Sequence, residues 1–259
     1  MVNCHPTLQK QVVTKMGREH LIPKLIEYVT DRDPMLQRIA AHYGCNPKLA
    51  KDCVLRVLNG GSIAEWVKDN NLRPQREQDD LRDLAEEARV IRGVFFAMTE
   101  EKEPGMVEKL KAIARSHKME KAERQMKAAR EAEANGRCPS KTPPVSFSNT
   151  AVERSAFSQV MFELEDQVLD VIDTYLRDNG WTVGALIYDG LQVQHRPGDT
   201  QHPTTGLWWE VDSAMRGAEA AVERKLGYRI TLLEKPLFDG ASSNEIEPCR
   251  KKARRAVES

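Results

Sequence analysis

The sequence predicts an α+β fold that is mostly helical and contains one small antiparallel sheet. Two observations support this class. Apolar residues recur at helical spacing in several long stretches of the 259-residue chain. Only 181–196 reads as two β-rich runs, which flank Asp189-Gly190, and this pair is a strong hairpin signal. With 40% hydrophobic and 30% charged residues, the chain is long enough and apolar enough to bury a sizeable core.

The first hundred residues are predicted to form several helices. Residues 7–43 keep a helical period, and the Asp-Pro pair at 33–34 is typical of a helix start, with aspartate as the cap. An Asn-Pro pair at 46–47 repeats this signal. The sequence NGGS at 59–62 should end that second helix, because glycine tolerates the left-handed conformation that often follows a helix. Residues 76–98 form a further amphipathic helix.

The second half alternates between helices and extended segments. Residues 106–134 are helical by propensity but very polar, which indicates a solvated, protruding helix. A linker rich in proline and serine follows at 135–150. Long helices are predicted at 151–178 and 207–226, and a final strand at 228–233.

These shifts in composition divide the chain into four regions. Residues 1–100 are helical, 101–150 form a charged insertion with its linker, and 151–238 contain the hairpin. Residues 239–259 form a tail that we expect to be disordered. The tail carries RKKARR at 250–255, which is typical of a nuclear-import signal or a nucleic-acid patch and is also common in unrelated tails.

Charge and targeting signals exclude several classes of protein. Lysine plus arginine and aspartate plus glutamate each number 39, so a generally basic nucleic-acid binder is disfavoured, although a local basic groove remains compatible. No apolar run reaches the roughly 18–20 residues that span a bilayer, and the first residues lack a secretory pattern. The five scattered cysteines favour reduced thiols. We therefore expect an intracellular protein, nuclear or cytoplasmic, without a membrane partner.

Asp189 is the first candidate for chemistry. A tight hairpin presents one carboxylate at its tip, and magnesium prefers such hard oxygen ligands. Two such ions about 4 Å apart can activate a hydroxyl and stabilise a leaving pyrophosphate. The alternative is that Asp189 only forms the turn, which is the commoner role of aspartate before glycine.

Basic residues at two helix starts are the other candidates. Lys48 and Lys51 near a helix N-terminus are disfavoured by the helix dipole unless an anion lies along that face. They could equally face solvent. Arg154 follows Glu153 at the start of the long helix, and its alternative role is a surface ion pair worth well under about 1 kcal/mol.

Three of these motifs occur in one order and spacing. Lys51 is followed eight residues later by Asn59-Gly60, residues 153–156 read Glu-Arg-Ser-Ala, and 187–191 read IYDGL. Together they resemble the fingers and palm of a family A DNA polymerase, of the divergent kind seen in viral and mobile-element replication proteins. The resemblance covers roughly 1–237, with 101–150 as an insertion.

The resemblance implies a role for each candidate. Asp189 would be the catalytic residue that ligates Mg²⁺. Lys51 would bind the triphosphate with help from Lys48, and Asn59 occupies the nucleotide-binding position where the family has an aromatic residue. Arg154 would contact the template or primer backbone. The partners would be a DNA primer-template, a dNTP and possible replication proteins, with 1–100 as fingers and the start of the palm, and 151–238 as palm.

The sequence also departs from the family. Tyr188-Asp189-Gly190 keeps only the aspartate of the usual His-Asp-Glu motif, and the first metal aspartate would fall at or just before Met1. We therefore expect a polymerase fragment, truncated at its N-terminus, with little or no activity as given. The alternatives are a non-catalytic nucleic-acid-binding relic and an unrelated helical interaction protein.

Overall fold

A computed structural model shows a mostly helical protein with a small two-stranded antiparallel sheet, which agrees with the predicted α+β class. The structure describes residues 4–73, 76, 78–135, 145–187, 190–194, 198 and 209–234. Within these residues the helices are α1 Cys4–Lys15, α2 Pro23–Thr30, α3 Arg32–Tyr43, α4 Pro47–Leu58, α5 Ile63–Asp69, α6 Asp79–Lys102, α7 Met106–Ala134, α8 Asn149–Asp178 and α9 Trp209–Leu226. A short 3₁₀ turn, Glu19–Leu21, precedes α2. The strands are β1 Val183–Ile187 and β2 Gly190–Val193.

Side-chain caps explain several helix starts. Asn46 accepts a hydrogen bond from the Leu49 amide (2.8 Å), with Pro47 at the first helical position, as predicted. Ser148 caps α8 through the Ala151 amide (3.2 Å). Each cap satisfies an amide that has no partner inside its helix.

The predicted cap at Asp33 is wrong, because α3 already begins at Arg32 and Asp31 is the extended residue before it. Asp33 and Pro34 therefore lie in the first turn of the helix. Proline is tolerated there since first-turn amides have no partner inside the helix.

The predicted final strand at 228–233 is also wrong, because no regular strand forms there. Side chains satisfy its backbone groups instead. Gln11 donates to the Arg229 carbonyl and accepts from the Arg229 amide, both at 2.6 Å. Glu219 accepts from the Leu232 amide at 2.7 Å. The segment is thus held against α1 and α9, and no described residue pairs with it as a strand.

One hydrophobic core extends from Leu8 to Ile230 and includes residues from all the long helices. At its centre, Phe95 of α6 and Phe157 of α8 are fully buried and meet edge to face, with ring centroids 5.5 Å apart. By contrast, no described residue of α7 beyond Ala114 is buried, which confirms the predicted solvated helix. The four-region division of the chain stays a prediction.

A buried carboxylate links α6 to α2 and α3. Asp80 accepts hydrogen bonds from Lys24 (2.6 Å), Arg38 (2.9 Å) and Gln78 (2.9 Å). Burial alone would raise the pKa of Asp80, but these hydrogen bonds outweigh it and hold the pKa well below its usual range. Across the described ranges, no helix is both long and apolar enough to cross a membrane.

Candidate nucleic-acid interface

The turn between α4 and α5 is built around Gly60. Asn59 ends α4, and Gly60 takes a φ of +78°, a left-handed conformation that glycine adopts without a Cβ clash. The Gly60 amide donates to the Val57 carbonyl (2.7 Å), and the Ser62 hydroxyl caps α5 through the Glu65 amide (3.2 Å). The predicted helix end is therefore confirmed, and Gly60 holds the chain in a tight turn.

Arg154 of α8 contacts this turn across 94 residues of sequence. Its Nη1 donates a hydrogen bond to the Gly60 carbonyl at 3.0 Å. A Cβ on residue 60 would lie 2.7 Å from Arg154 Cγ and 2.7 Å from Arg92 Nη1. Glycine at position 60 is thus required twice, for its backbone conformation and for the approach of two arginine side chains.

The core contact between α6 and α8 explains why these two arginines meet. Arg92 precedes Phe95 by three residues, and Arg154 precedes Phe157 by three residues. Residues three apart share a face of a helix, so the contact between the two phenylalanines also brings the arginines together. The pair is therefore a consequence of helix packing.

Arg92 is a buried cation without a matching anion. Its side chain is 9% exposed, and among the described residues no carboxylate lies within ion-pair distance of it. Burial lowers the pKa of Arg92. The positive charges of Arg154 and Arg89 lower it further, and the negative charge of Glu153 partly offsets the shift. A fully buried charge without a partner costs about 3–5 kcal/mol. Arg92 bears only part of this cost, because its nitrogen atoms are not among the fully buried side-chain atoms that lack a partner and Glu153 lies nearby.

Lys118 of α7 adds a third cation to this region. Its side chain is half-buried, and its pKa is lowered by burial and by the positive charges of Arg154 and Lys121. We refer to Arg92, Arg154 and Lys118 as the basic cluster. Like charges that repel one another in a partly desolvated place form an arrangement that an anion would stabilise.

The predicted nucleotide-binding lysines lie at the other end of α4. Lys48 is exposed and Lys51 is half-buried, in the first turns of the helix. Neither has an ion-pair partner in the part of the chain that the structure describes. Seven residues separate Lys51 from the end of α4 at Leu58, roughly 10 Å along the axis. The structure therefore joins Asn59-Gly60 to Arg154, but does not bring the two lysines to that point.

Asp189, the predicted catalytic and metal-binding residue, lies outside the described residues. The strands on either side of it form the predicted antiparallel hairpin, with Ile187 paired to Gly190. The described residues include no group of three or more His, Cys, Asp or Glu side chains that could hold a metal ion.

No family model, curated protein or solved structure matches this chain. The family resemblance therefore rests on the sequence motifs alone.

Arg92 and Lys118 are the two members of the basic cluster that sequence reasoning missed. For Arg92 a signal existed, because it lies four residues after Ala88 and three before Phe95, on the apolar face of α6. An arginine on an apolar face indicates either a buried ion pair or an anion site. Lys118 had no such signal, because it lies among many other charged residues of α7.

Proposed function

We propose that the chain is a nucleic-acid-binding module of a template-directed DNA polymerase, with 1–100 acting as fingers and 151–238 as palm. The contact between Gly60 and Arg154 carries the proposal. It joins two of the three motifs on which the resemblance depends, although 94 residues separate them. Motifs that act on one substrate must lie near one another in the fold. The Asn59-Gly60 part of the first motif lies beside Arg154, whereas Lys51 lies roughly 10 Å farther along α4.

The face of α4 supports nucleotide binding by the same module. Lys48 and Lys51 are three residues apart and so lie on one side of the helix. The helix dipole disfavours cations at this end, and a triphosphate along the face would relieve that repulsion. Lys51 would hold the triphosphate, with Lys48 beside it and Asn59 near the incoming nucleotide.

The resemblance also implies Mg²⁺ bound by Asp189. When bound, such an ion activates the attacking hydroxyl and neutralises the leaving phosphate charge. Asp189, the residue that would hold the ion, lies outside the described residues.

A second candidate is a non-catalytic nucleic-acid binder, which the uncompensated charge of Arg92 favours on its own. Phosphate neutralisation supplies most of the affinity of such proteins and needs no metal.

Binding and primer extension with the full chain separate these functions. We expect fluorescently labelled primer-template DNA to bind with an affinity that falls steeply with salt. Lys51→Ala should raise the Kd for dNTP about tenfold, the loss of about one charge-assisted contact. Lys225→Ala, an exposed lysine on α9, is the matched control.

The outcomes distinguish the candidates. Nucleotide incorporation that Asp189→Ala abolishes supports an active polymerase. Binding of DNA and of dNTP, with the dNTP affinity lowered by Lys51→Ala, supports a polymerase module that is inactive as given. DNA binding without dNTP binding supports the non-catalytic binder. The absence of any affinity for DNA and dNTP overturns both and favours a helical interaction protein.

A further inference from the structure

We propose that the basic cluster of Arg92, Arg154 and Lys118 binds a phosphate group beside Gly60. The first observation is the burial of Arg92, which is 9% exposed and has no ion-pair partner among the described residues. A guanidinium keeps its proton at any ordinary pH, so neutralisation cannot occur by loss of that proton. A bound anion would compensate the charge more fully than Glu153 and the remaining solvent contact do.

The balance of nearby charge points the same way. The charged groups that shift the pKa of Arg92 are Arg89, Arg154 and Glu153. Those that shift the pKa of Lys118 are Arg154 and Lys121. Glu153 is thus the one carboxylate among these groups, and Arg89 already has Glu86 as its partner. A net positive charge is left over at the place where α6, α7 and α8 meet.

The cluster also has hydrogen-bond donors to spare. Arg154 uses Nη1 on the Gly60 carbonyl, and a guanidinium has five N–H donors in all. The described residues provide no hydrogen-bond acceptor for Arg92. Two planar guanidinium groups that converge on one glycine match a phosphate, whose several oxygens each accept hydrogen bonds, better than a single-atom anion.

The ligand is therefore a phosphate group, from a nucleic-acid backbone or from a nucleotide. The choice between these two sources of the phosphate rests on the proposed function. The existence of the phosphate site does not rest on it. Lys118 belongs to the charged 101–150 segment, so the inference also gives that segment a role in binding.

Inorganic phosphate tests the site without reference to any polymerase activity. Thermal unfolding of the full chain is measured in sodium phosphate and in sodium chloride at equal ionic strength. We expect the wild type to gain about 3 °C or more once phosphate exceeds its Kd tenfold. Arg92→Met should lose this gain, and Arg130→Met, an exposed arginine at the far end of α7, should keep it.

The chloride melts separate a binding role from a structural one. Arg92→Met replaces a buried uncompensated charge with an apolar side chain, so its melting temperature in chloride should be unchanged or higher. Lys118→Gln, at a half-buried position, provides a second variant that should fold whatever happens to Arg92. It should lose part of the phosphate gain.

Three results would overturn the proposal. One is an equal phosphate gain in the wild type and in both cluster variants. Another is a wild type that gains nothing from phosphate. The third is an Arg92→Met variant that melts well below the wild type in chloride while Lys118→Gln keeps the full phosphate gain.

Two further titrations identify the source of the phosphate. Loss of a backbone contact should reduce the salt slope of DNA binding by about one for each contact removed. Loss of a nucleotide contact should instead weaken dATP binding at constant salt. A phosphate gain that depends on Arg92, in a chain that binds neither DNA nor dATP, would leave the site standing and refute the proposed function.

Discussion

Gly60→Ala should destabilise the protein by about 3 kcal/mol, a sum of two terms. A left-handed φ, here +78°, costs a non-glycine residue about 1–2 kcal/mol. The new Cβ would also lie 2.7 Å from Arg154 Cγ, so the arginine must move and give up its hydrogen bond to the Gly60 carbonyl. A hydrogen bond from a charged donor is worth about 1.5–3 kcal/mol.

Urea unfolding measures this loss, and Gly44→Ala is the matched control. Gly44 also has a left-handed φ, +63°, but a Cβ there would meet nothing within 4 Å. Gly44→Ala should therefore lose only the free energy that a left-handed φ costs a non-glycine residue, about 1–2 kcal/mol. At about 2–4 °C per kcal/mol, the melting temperature should fall clearly further for Gly60→Ala. Equal losses in the two variants would refute the contact between Arg154 and the turn.

Three further predictions concern stability. Asp80→Asn should cost about 2 kcal/mol near neutral pH, because it weakens two charge-assisted hydrogen bonds. The native pKa of Asp80 lies below its unfolded value of about 3.9, so its contribution is present above about pH 4 and is lost as the pH falls through the native pKa. The difference in unfolding free energy between Asp80→Asn and the wild type should therefore shrink as the pH falls below about 4. A difference that stays constant down to about pH 2 would contradict this. Gly217→Ala should cost about 1–3 kcal/mol in urea unfolding, since its Cβ would overlap the Tyr175 hydroxyl where α9 crosses α8; a neutral result would exclude that close crossing. Ser148→Ala should cost about 1 kcal/mol in urea unfolding through loss of the α8 cap, whereas Ser148→Asp, which keeps a capping oxygen, should lose little; equal losses in the two variants would contradict a role for the cap.

Local signals predicted the turn but not what surrounds it. The Asn-Pro pair before α4 and the sequence NGGS after it start and end the helix through local backbone preferences, so both predicted ends are confirmed. The final strand failed for the opposite reason. Its residues have strand propensity, but Gln11 and Glu219 satisfy its backbone groups, and both lie far away in sequence.

The candidate site shows the same division. Arg154 and Asn59-Gly60 could be singled out from their order along the chain, and the hairpin around Asp189 from its Asp-Gly pair. Which of these residues touch one another could not be predicted, because one sequence does not reveal the partner of each helix face. Lys51 and Arg154 belong to one family pattern, yet they lie near opposite ends of α4.

The sequence by itself determined the helical class, the positions of most helices and the hairpin of β1 and β2, because period, caps and turn residues act over a few neighbouring positions. Tertiary structure alone decided that Arg92 and Arg154 converge on Gly60. That convergence follows from the contact between Phe95 and Phe157, which joins helices far apart in the chain. Packing of this kind fixes where charge is left uncompensated, and that charge is what indicates a ligand.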